Sequence, residues 1–421
     1  MQFTEMVLVR QQLVSEKVGD INCEIESQLC SPRFIERLRG RKKIALAVGS
    51  RGIASLPLMV KATIGALKKI GLTPYIIPAM GSHGGATAGG QVETLKSLGI
   101  NEESCGMPVL CSMETAYLGE TPEKIPCFTA KDAVNAEGII ILNRIKPHTA
   151  MTGPMQSGLC KMLAVGLGRE KGAQAAHAHG LDRSVRALAQ MLIDRLSVVA
   201  GIAVVENGRH EVAQIKIVPP EEFMETDRTL LQKACAYMPR IPYNQADILL
   251  IEEIGKDISG SGMDINIIGK WRRDGGKRQP NYHRIIVLDL SAKTGGNGVG
   301  IGFADFTTEA VVARLDRKAT YANALAAGVT TAGKIPVYGE SDEVVLQMAM
   351  QGMPADRLNI IHIRNTLNLE EFGVSKNLWE SVSRPRDLAG IACYDLETSA
   401  KGQLVRLDRI SPKNVSLCNV T

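Results

Sequence analysis

The stretch IALAVGSRGIASLPLMVKATIGALKKIGLTPYIIPAM, residues 44–80, holds two short apolar runs on either side of an amphipathic segment. Within that segment Leu56, Val60, Ile64 and Leu67 recur at helical spacing. An order of strand, loop, helix and strand predicts a parallel sheet, in which functional loops follow the carboxyl ends of the strands.

The same alternation continues along the chain. EGIIILNRI (137–145) predicts a further buried strand, and RSVRALAQMLIDRLS (183–197) predicts an amphipathic helix. In GIAVVENGRHEVAQIKIV (201–218) the Asn207-Gly208 pair separates two apolar runs, which indicates a β-hairpin.

A chain of 421 residues is longer than one compact domain usually is. After the predicted helix at 219–238, the polar segment RIPYNQ (240–245) suggests a domain boundary, and a second alternating series follows it. We therefore predict two Rossmann-like α/β domains, residues 1–240 and the smaller 241–421, with the active site in the cleft between them.

Composition excludes several classes of function. The formal charge of +5 is small and aromatic residues make up 4%, so neither nucleic acid nor an anionic membrane surface is indicated as a partner. The apolar runs are too short to span a bilayer, and the first residues, MQFTEMVLVRQQL, show no signal-peptide pattern. Nine cysteines without a CxxC pair are typical of a reducing cytoplasm, which is the expected location.

The first two predicted strands each run into a glycine-containing loop. GSRGI (49–53) carries Arg51, which can hold a carboxylate by two parallel hydrogen bonds; a surface arginine is the alternative. PAMGSHGGATAGG (78–90) carries His83 between glycines, and near Thr87 backbone N–H groups at a helix start could bind a phosphate. This loop lacks the GxGxxG fingerprint of dinucleotide-binding proteins.

NRIKPHTAMTGPMQSGLCKM (143–162) brings His148, Ser157 and Lys161 close together in the sequence after the buried strand. SGLCK predicts a helix start with Lys161 in its first turn, where the positive end of the helix dipole favours loss of the lysine proton. Such a lysine could be a nucleophile or a covalent tether, although a lysine that reaches along the surface to water is the alternative.

HAHG (177–180) holds two histidines two residues apart. In a helix His177 and His179 would point to different faces, so only one of them would be a ligand. A single imidazole does not define a metal site, and a bound metal would need ligands from a cofactor or from elsewhere in the chain.

Together these motifs resemble those of the nickel-pincer lactate racemase family. GSHGG matches the family loop that supplies one catalytic histidine, which implies that role for His83, and the motif from His148 to SGLCK matches the one that opens with the second. The resemblance implies that Lys161 carries a nickel pincer nucleotide, a pyridinium-3,5-bisthiocarboxylic acid mononucleotide with nickel. His177, sixteen residues later, would bind the nickel. Thr87, Ser157 and Gly158 would contact the cofactor.

The family's substrate-holding arginine corresponds to Arg51, and three departures from the family pattern concern the site. Val48 replaces the usual aspartate, the interval from His148 to Lys161 is three residues longer, and Gly269 replaces a glutamine that contacts cofactor or substrate. Lys256 and Lys270 are candidates for a substrate-contacting lysine. These departures suggest a substrate other than lactate.

The resemblance implies a racemase or epimerase that inverts C2 of a 2-hydroxy acid by reversible hydride transfer to the tethered cofactor, with His83 and His148 as proton shuttles. The second domain would close the cleft and exclude water. The expected partners are the small-molecule substrate and the cofactor-synthesis enzymes.

Three alternatives stay open. The same cofactor could epimerise a longer or more polar sugar acid, for which Arg272, Arg273 and Asp274 would be suitable contacts, although a solvated loop explains those charges equally well. An NAD-dependent dehydrogenase is disfavoured by the missing fingerprint. A non-catalytic protein that binds a cofactor or metal would need Lys161 and His177 but neither His83 nor His148.

Overall fold

The computed structural model describes residues 2–50, 52–354, 357–381 and 384–410. The strands are β1 (Gln2–Gln11), β2 (Lys43–Val48), β3 (Thr73–Pro78), β4 (Thr115–Glu120), β5 (Pro126–Ala130), β6 (Gly138–Arg144), β7 (Val198–Glu206), β8 (Val212–Val218), β9 (Gln245–Ile251), β10 (Asn281–Val287), β11 (Phe306–Thr308), β12 (Val337–Gly339), β13 (Ile360–Ile363), β14 (Glu371–Ser375) and β15 (Leu388–Glu397).

The helices are α1 (Ile21–Leu29), α2 (Pro32–Leu38), α3 (Leu56–Lys69), α4 (Ala88–Ser97), α5 (Glu102–Cys105), α6 (Lys131–Val134), α7 (Leu159–Lys161), α8 (Arg169–Ala178), α9 (Leu181–Arg195), α10 (Phe223–Tyr237), α11 (Ile265–Ile268), α12 (Trp271–Asp274), α13 (Glu309–Arg314), α14 (Arg317–Ala326), α15 (Asp342–Met350) and α16 (Lys376–Glu380). None of the helices in the described ranges is long and apolar enough to cross a membrane.

One unit of the chain contains residues 14–238. Its main sheet has the strand order β3-β2-β6-β7-β8, in which β3, β2, β6 and β7 run parallel and β8 is antiparallel. The predicted α/β class is confirmed. Because β3, β2 and β6 are parallel neighbours, the loops that follow them emerge side by side at one edge of the sheet.

Hydrophobic cores lie on both faces of this sheet. Successive strand residues point to opposite faces, so Ala45 and Ala47 belong to one core while Ile44, Leu46 and Val48 belong to the other. The apolar stripe predicted for the first helix is confirmed, since Leu56, Val60, Ile64 and Leu67 of α3 are all buried.

The hairpin predicted at Asn207-Gly208 is confirmed: β7 and β8 pair as antiparallel strands joined by this turn. The side-chain oxygen of Asn207 accepts hydrogen bonds from the N–H groups of Arg209 and Glu211, both at 2.9 Å. The Asn207 side chain thus accepts hydrogen bonds from backbone N–H groups in the turn, where the strands no longer pair, and so stabilises the turn.

The other unit contains β1 and the residues from Pro239 onward. Within the described residues, eight strands form its sheet in the order β12-β11-β10-β9-β13-β14-β1-β15. The strands from β12 to β13 are parallel, and β14, β1 and β15 add antiparallel pairs. The sequence prediction placed all of residues 1–240 in one domain, whereas β1 belongs to this second sheet. The strands that pair with β1 lie more than 350 residues away in the chain, so no local pattern indicated the pairing.

Candidate functional site

His83 lies in the loop that follows β3, and Ser50 lies in the loop that follows β2. The Ser50 hydroxyl pairs with Nδ1 of His83. His83 is exposed to solvent, so a proton can move between its ring and a ligand. Arg51, the expected carboxylate-binding residue, lies outside the described residues.

The glycines beside His83 have a structural reason. Gly84 adopts a φ of +67°, and a Cβ at this position would lie 2.6 Å from the carbonyl carbon of Gly90 at the start of α4. At Gly84 it is therefore the backbone of α4, and not a ligand, that approaches the glycine closely. Thr87 caps α4, because its hydroxyl accepts the Gly90 N–H at 3.1 Å and donates to the Gly84 carbonyl at 3.2 Å.

A buried polar network lies behind this loop. The Gln91 side chain donates to the carbonyl of Gly81 at 2.8 Å and to that of His83 at 3.3 Å. Its oxygen accepts a hydrogen bond from Arg169 at 2.6 Å. Sequence analysis missed both residues, although Gln91 is four residues from Leu95 on the buried side of α4, an unusual place for an amide.

His148 lies in the loop that follows β6 and is half-buried. Its backbone N–H donates to the side-chain oxygen of Gln156 at 2.6 Å, and its Nδ1 accepts the N–H of Ala150 at 3.0 Å. A neutral imidazole that accepts at Nδ1 carries its proton on Nε2. His148 is thus held as a proton donor at Nε2.

The loop that carries His148 is closed at its base and fixed at its tip. Lys146 and Ser157 pair through their backbones at 3.2 and 3.3 Å. At the tip, the Asp182 carboxylate accepts the N–H groups of Thr152 and Gly153 at 3.1 and 3.2 Å. These contacts fix the conformation of the loop within the twelve residues between His148 and Lys161.

Lys161 ends the short helix α7, and the chain continues as a π-helical turn over Met162–Gly166. The Leu167 N–H reaches the Met162 carbonyl at 2.9 Å, which is the i to i−5 bond of a π-helix. The predicted helix start with Lys161 in its first turn is confirmed. Wide turns of this kind are rare and are frequent at functional sites.

The amino end of α7 meets a buried carboxylate that sequence analysis did not identify. Asp227 of α10 accepts the N–H groups of Leu159 and Cys160, both at 2.9 Å. Desolvation raises the pKa of Asp227 to about 6, and these backbone hydrogen bonds oppose the rise. The carboxylate offsets the positive helix end beside Lys161, so the dipole alone does not determine the charge environment of the lysine.

His177 lies in the last turn of α8. Desolvation lowers its pKa, and the positive charge of Lys161 lowers it further. His179 follows the end of the helix, where its Nδ1 lies 2.9 Å from the carbonyl oxygen of Ala175. The two histidines therefore have different surroundings, as expected for a helix.

Two contacts join the Lys161 segment to the other loops. The Gly81 N–H donates to the Gly166 carbonyl at 2.9 Å, and Met162 packs so closely on Gly49 that a Cβ there would lie 2.9 Å from the methionine methyl. The loops after β2, β3 and β6 and the Lys161 segment therefore meet at one sheet edge. We call the candidate residues that these loops, the Lys161 segment and the following helix α8 carry the carboxyl-edge cluster: Ser50, His83, His148, Lys161 and His177.

Within the ranges that the structure describes, no group of three or more His, Cys, Asp or Glu side chains is arranged to hold a metal ion.

Lys256 and Lys270 belong to the second unit. The Lys256 ammonium donates to the Gly260 carbonyl and to the Asn323 side-chain oxygen, each at 2.9 Å. Lys270 is half-buried and directly precedes α12.

Gly269 has a structural explanation that its sequence position did not suggest. Its φ is +107°, and a Cβ would lie 2.6 Å from Nε1 of Trp271, whose indole N–H donates to the Pro280 carbonyl at 2.7 Å. The glycine thus accommodates the indole ring of Trp271.

Arg272 is also a structural residue. Its guanidinium donates to the Phe303 and Tyr282 carbonyls at 2.8 Å each and lies 3.0 Å from the Asp305 carboxylate. Arg273 lies 3.4 Å from Asp274. The side chain of Arg272 is therefore committed within the fold, which removes it from the residues considered for a polar substrate.

Comparison with known proteins gives similarities to solved structures. No protein-family model and no curated protein sequence matches the chain. A protein from Thermotoga maritima aligns with 76% of this chain and 84% of its own at 14% identity and a TM-score of 0.52, a likeness of fold. The lactate racemase apoprotein from Thermoanaerobacterium thermosaccharolyticum aligns with 66% of this chain and 69% of its own, at 15% identity and a TM-score of 0.45.

Proposed function

We propose that this protein is a racemase or epimerase that inverts C2 of a 2-hydroxy acid. The observation that carries the proposal is the carboxyl-edge cluster, in which two histidines on neighbouring loops share one sheet edge with a lysine in the first turn of a helix. Inversion at C2 needs one group that takes the hydroxyl proton and one that returns it, and two histidines meet that need at neutral pH.

The residues of the cluster fit a lysine-tethered nickel pincer nucleotide. Lys161 offers an amine for covalent attachment, and His177, whose pKa is lowered by desolvation and by Lys161, offers a neutral imidazole to a metal. Ser157, Gly158 and Thr87 would contact the nucleotide. When bound, the cofactor would supply a pyridinium ring that accepts and returns a hydride.

The two histidines would have opposite roles in each direction. We propose that Nδ1 of His83 donates to the Ser50 oxygen, which places the lone pair of the ring on Nε2 and gives that atom the role of base. His148 accepts at Nδ1 from Ala150 and holds its proton on Nε2, ready to donate it. One histidine therefore takes the hydroxyl proton of one enantiomer while the other protonates the oxygen of its mirror image.

The charge at this edge favours an anionic substrate. Glu206 is engaged by Arg144 and by the N–H of Ala54 at 2.7 Å, and Asp182 is engaged by the tip of the His148 loop. Lys161 adds positive charge, and we assign carboxylate binding to Arg51 on its sequence position. We propose a substrate other than lactate.

The first test is covalent loading. The chain is co-produced with the cofactor-synthesis enzymes, and its intact mass and nickel content are measured beside Lys161→Ala and, as a matched control, Lys171→Ala on the exposed side of α8. We expect a nickel-bearing adduct in the wild type and in Lys171→Ala but none in Lys161→Ala. Absence of an adduct, while a lactate racemase is loaded in the same cells, would overturn the proposal.

The second test is stereoinversion. Loaded protein is incubated with single enantiomers of 2-hydroxy acids, and the appearance of the opposite enantiomer is followed by chiral chromatography. We expect His83→Ala and His148→Ala each to lower the rate by about 100-fold or more, since a general acid or base contributes on the order of 10² to 10⁴. Full activity in both variants would exclude the assigned proton roles.

A further inference from the structure

We infer that Gln91 is a positioning residue that fixes the His83 loop, and that Arg169 fixes Gln91 in turn. This inference rests on the proposed function for its catalytic consequence, while its structural part can be tested alone. Neither side chain touches the space in which a substrate would react, because both are buried.

The orientation of the Gln91 carboxamide is determined by its partners. A guanidinium has only donors, so the atom of Gln91 that lies 2.6 Å from Arg169 must be the oxygen. The amide nitrogen therefore faces the carbonyls of Gly81 and His83, at 2.8 and 3.3 Å. One side chain thus holds both ends of the three-residue segment that places His83.

Arg169 joins this loop to the segment that carries Lys161. Its guanidinium donates to the carbonyl of Pro78 at the end of β3 at 2.8 Å and to the Asp132 carboxylate at 3.1 Å. Its backbone has a φ of +54°, a conformation that a non-glycine residue adopts only when its surroundings impose it. It lies eight positions after Lys161, and the Gly166 carbonyl between them accepts the Gly81 N–H at 2.9 Å, so the network joins the His83 loop to the segment that carries Lys161.

The network complements the Ser50 contact. Ser50 orients the imidazole ring through Nδ1, whereas Gln91 holds the backbone from which the ring projects. A base that is displaced by about 1 Å can lose on the order of 100-fold in rate. We therefore expect loss of the Gln91 donors to lower kcat while KM stays within about threefold, since substrate contacts are unchanged.

Gln91→Glu is the sharpest variant. The carboxylate keeps an acceptor for Arg169 but removes the N–H groups that hold Gly81 and His83 and turns an oxygen toward their carbonyls. Glu93→Gln, an exposed change on the same helix, is the matched control. Gln91→Met, which removes both donors without adding charge, is used if Gln91→Glu does not fold.

Two measurements decide the inference. In the unloaded protein, hydrogen exchange of the backbone amides of residues 81–87 should be at least about tenfold faster in the Gln91 variant, with α3 unchanged. In the loaded protein, kcat should fall by about 100-fold. In a His83→Ala background the Gln91 substitution should lower kcat no further, because its effect acts through His83. If Gln91 contributed only to stability, the same loss would appear in both backgrounds.

Unchanged exchange in residues 81–87 would overturn the inference, and so would faster exchange with unchanged kcat. If the loaded wild type inverts no 2-hydroxy acid, the proposed function fails, and the exchange measurement alone still decides whether Gln91 fixes the loop.

Discussion

Asp227 and Gly158 lie so close together that a Cβ on residue 158 would be 2.5 Å from Cγ of Asp227. The carboxylate needs this approach in order to accept the N–H groups of Leu159 and Cys160 at the start of α7. We predict that Gly158→Ala lowers the free energy of unfolding by about 2 to 4 kcal/mol, from overpacking and loss of the cap, measured by urea denaturation.

Two further variants test that reason. Gly89→Ala on α4 should be neutral or slightly stabilising, because no atom lies within 4 Å of its Cβ position. Adding Asp227→Ala to Gly158→Ala should cost little more, since the methyl group already displaces the carboxylate. Additive losses would show that the two residues act independently.

Asp227 also predicts a pH dependence of stability. Desolvation raises its pKa from 3.8 to about 6, so the folded state holds this proton more tightly than the unfolded state does. The associated stability is fully present below pH 3.8 and is lost as the pH rises through about 6. Between pH 4 and 7 the wild type should therefore lose up to about 3 kcal/mol relative to Asp227→Asn. If the free energy of unfolding changed equally with pH in the wild type and in Asp227→Asn, Asp227 would not be the source of the pH dependence.

The effect of the Lys161 charge on the pKa of His177 can be measured without substrate. Because the lysine charge lowers the pKa of His177, Lys161→Gln should raise that pKa toward 6.5, and desolvation should keep it below that value. Ring chemical shifts of labelled histidine, followed by NMR against pH, report the change. Lys171→Gln serves as the control, and an equal shift in both variants would show that only net charge matters.

Gly269 provides a prediction in the second unit. Gly269→Ala combines backbone strain at a φ of +107° with a contact of 2.6 Å to Trp271, and we expect a loss of about 2 to 4 kcal/mol in the free energy of unfolding. Gly275→Ala has a φ of +74° but open space around it, so backbone strain alone should cost about 1 to 3 kcal/mol, less than the loss at Gly269. Similar losses of unfolding free energy in the two variants would show that the Trp271 ring moves aside at little cost.

Features that depend on local periodicity could be predicted from the sequence. The strands at β2, β3 and β6, the buried stripe of α3 and the hairpin at Asn207 each depend on residues a few positions apart. The arrangement of the loops at one sheet edge followed, because parallel neighbours end on the same side.

Features that depend on distant partners could not be predicted. Asp227 meets Leu159 across 68 residues, and Arg169 meets Gln91 across 78, so no local pattern relates them. A signal did exist for Asp227, which shares a helical stripe with the buried Phe223, Leu230 and Leu231. Polar residues on an apolar face are worth inspection for this reason. The constraint on Gly269 comes from the orientation of the Trp271 ring, two residues later, and from the Pro280 carbonyl, and the sequence pattern specifies neither.

The position of β1 has a consequence for biosynthesis. Its residues Met6 to Val9 are buried between β14 and β15, which the ribosome makes more than 350 residues after β1. At about 5 to 20 residues per second, the nascent strand waits on the order of 20 to 70 seconds for its neighbours. Throughout that time the apolar strand β1 can pair with other nascent chains. Chaperone demand during translation should therefore fall if residues 2–11 are moved by circular permutation to a position after β15.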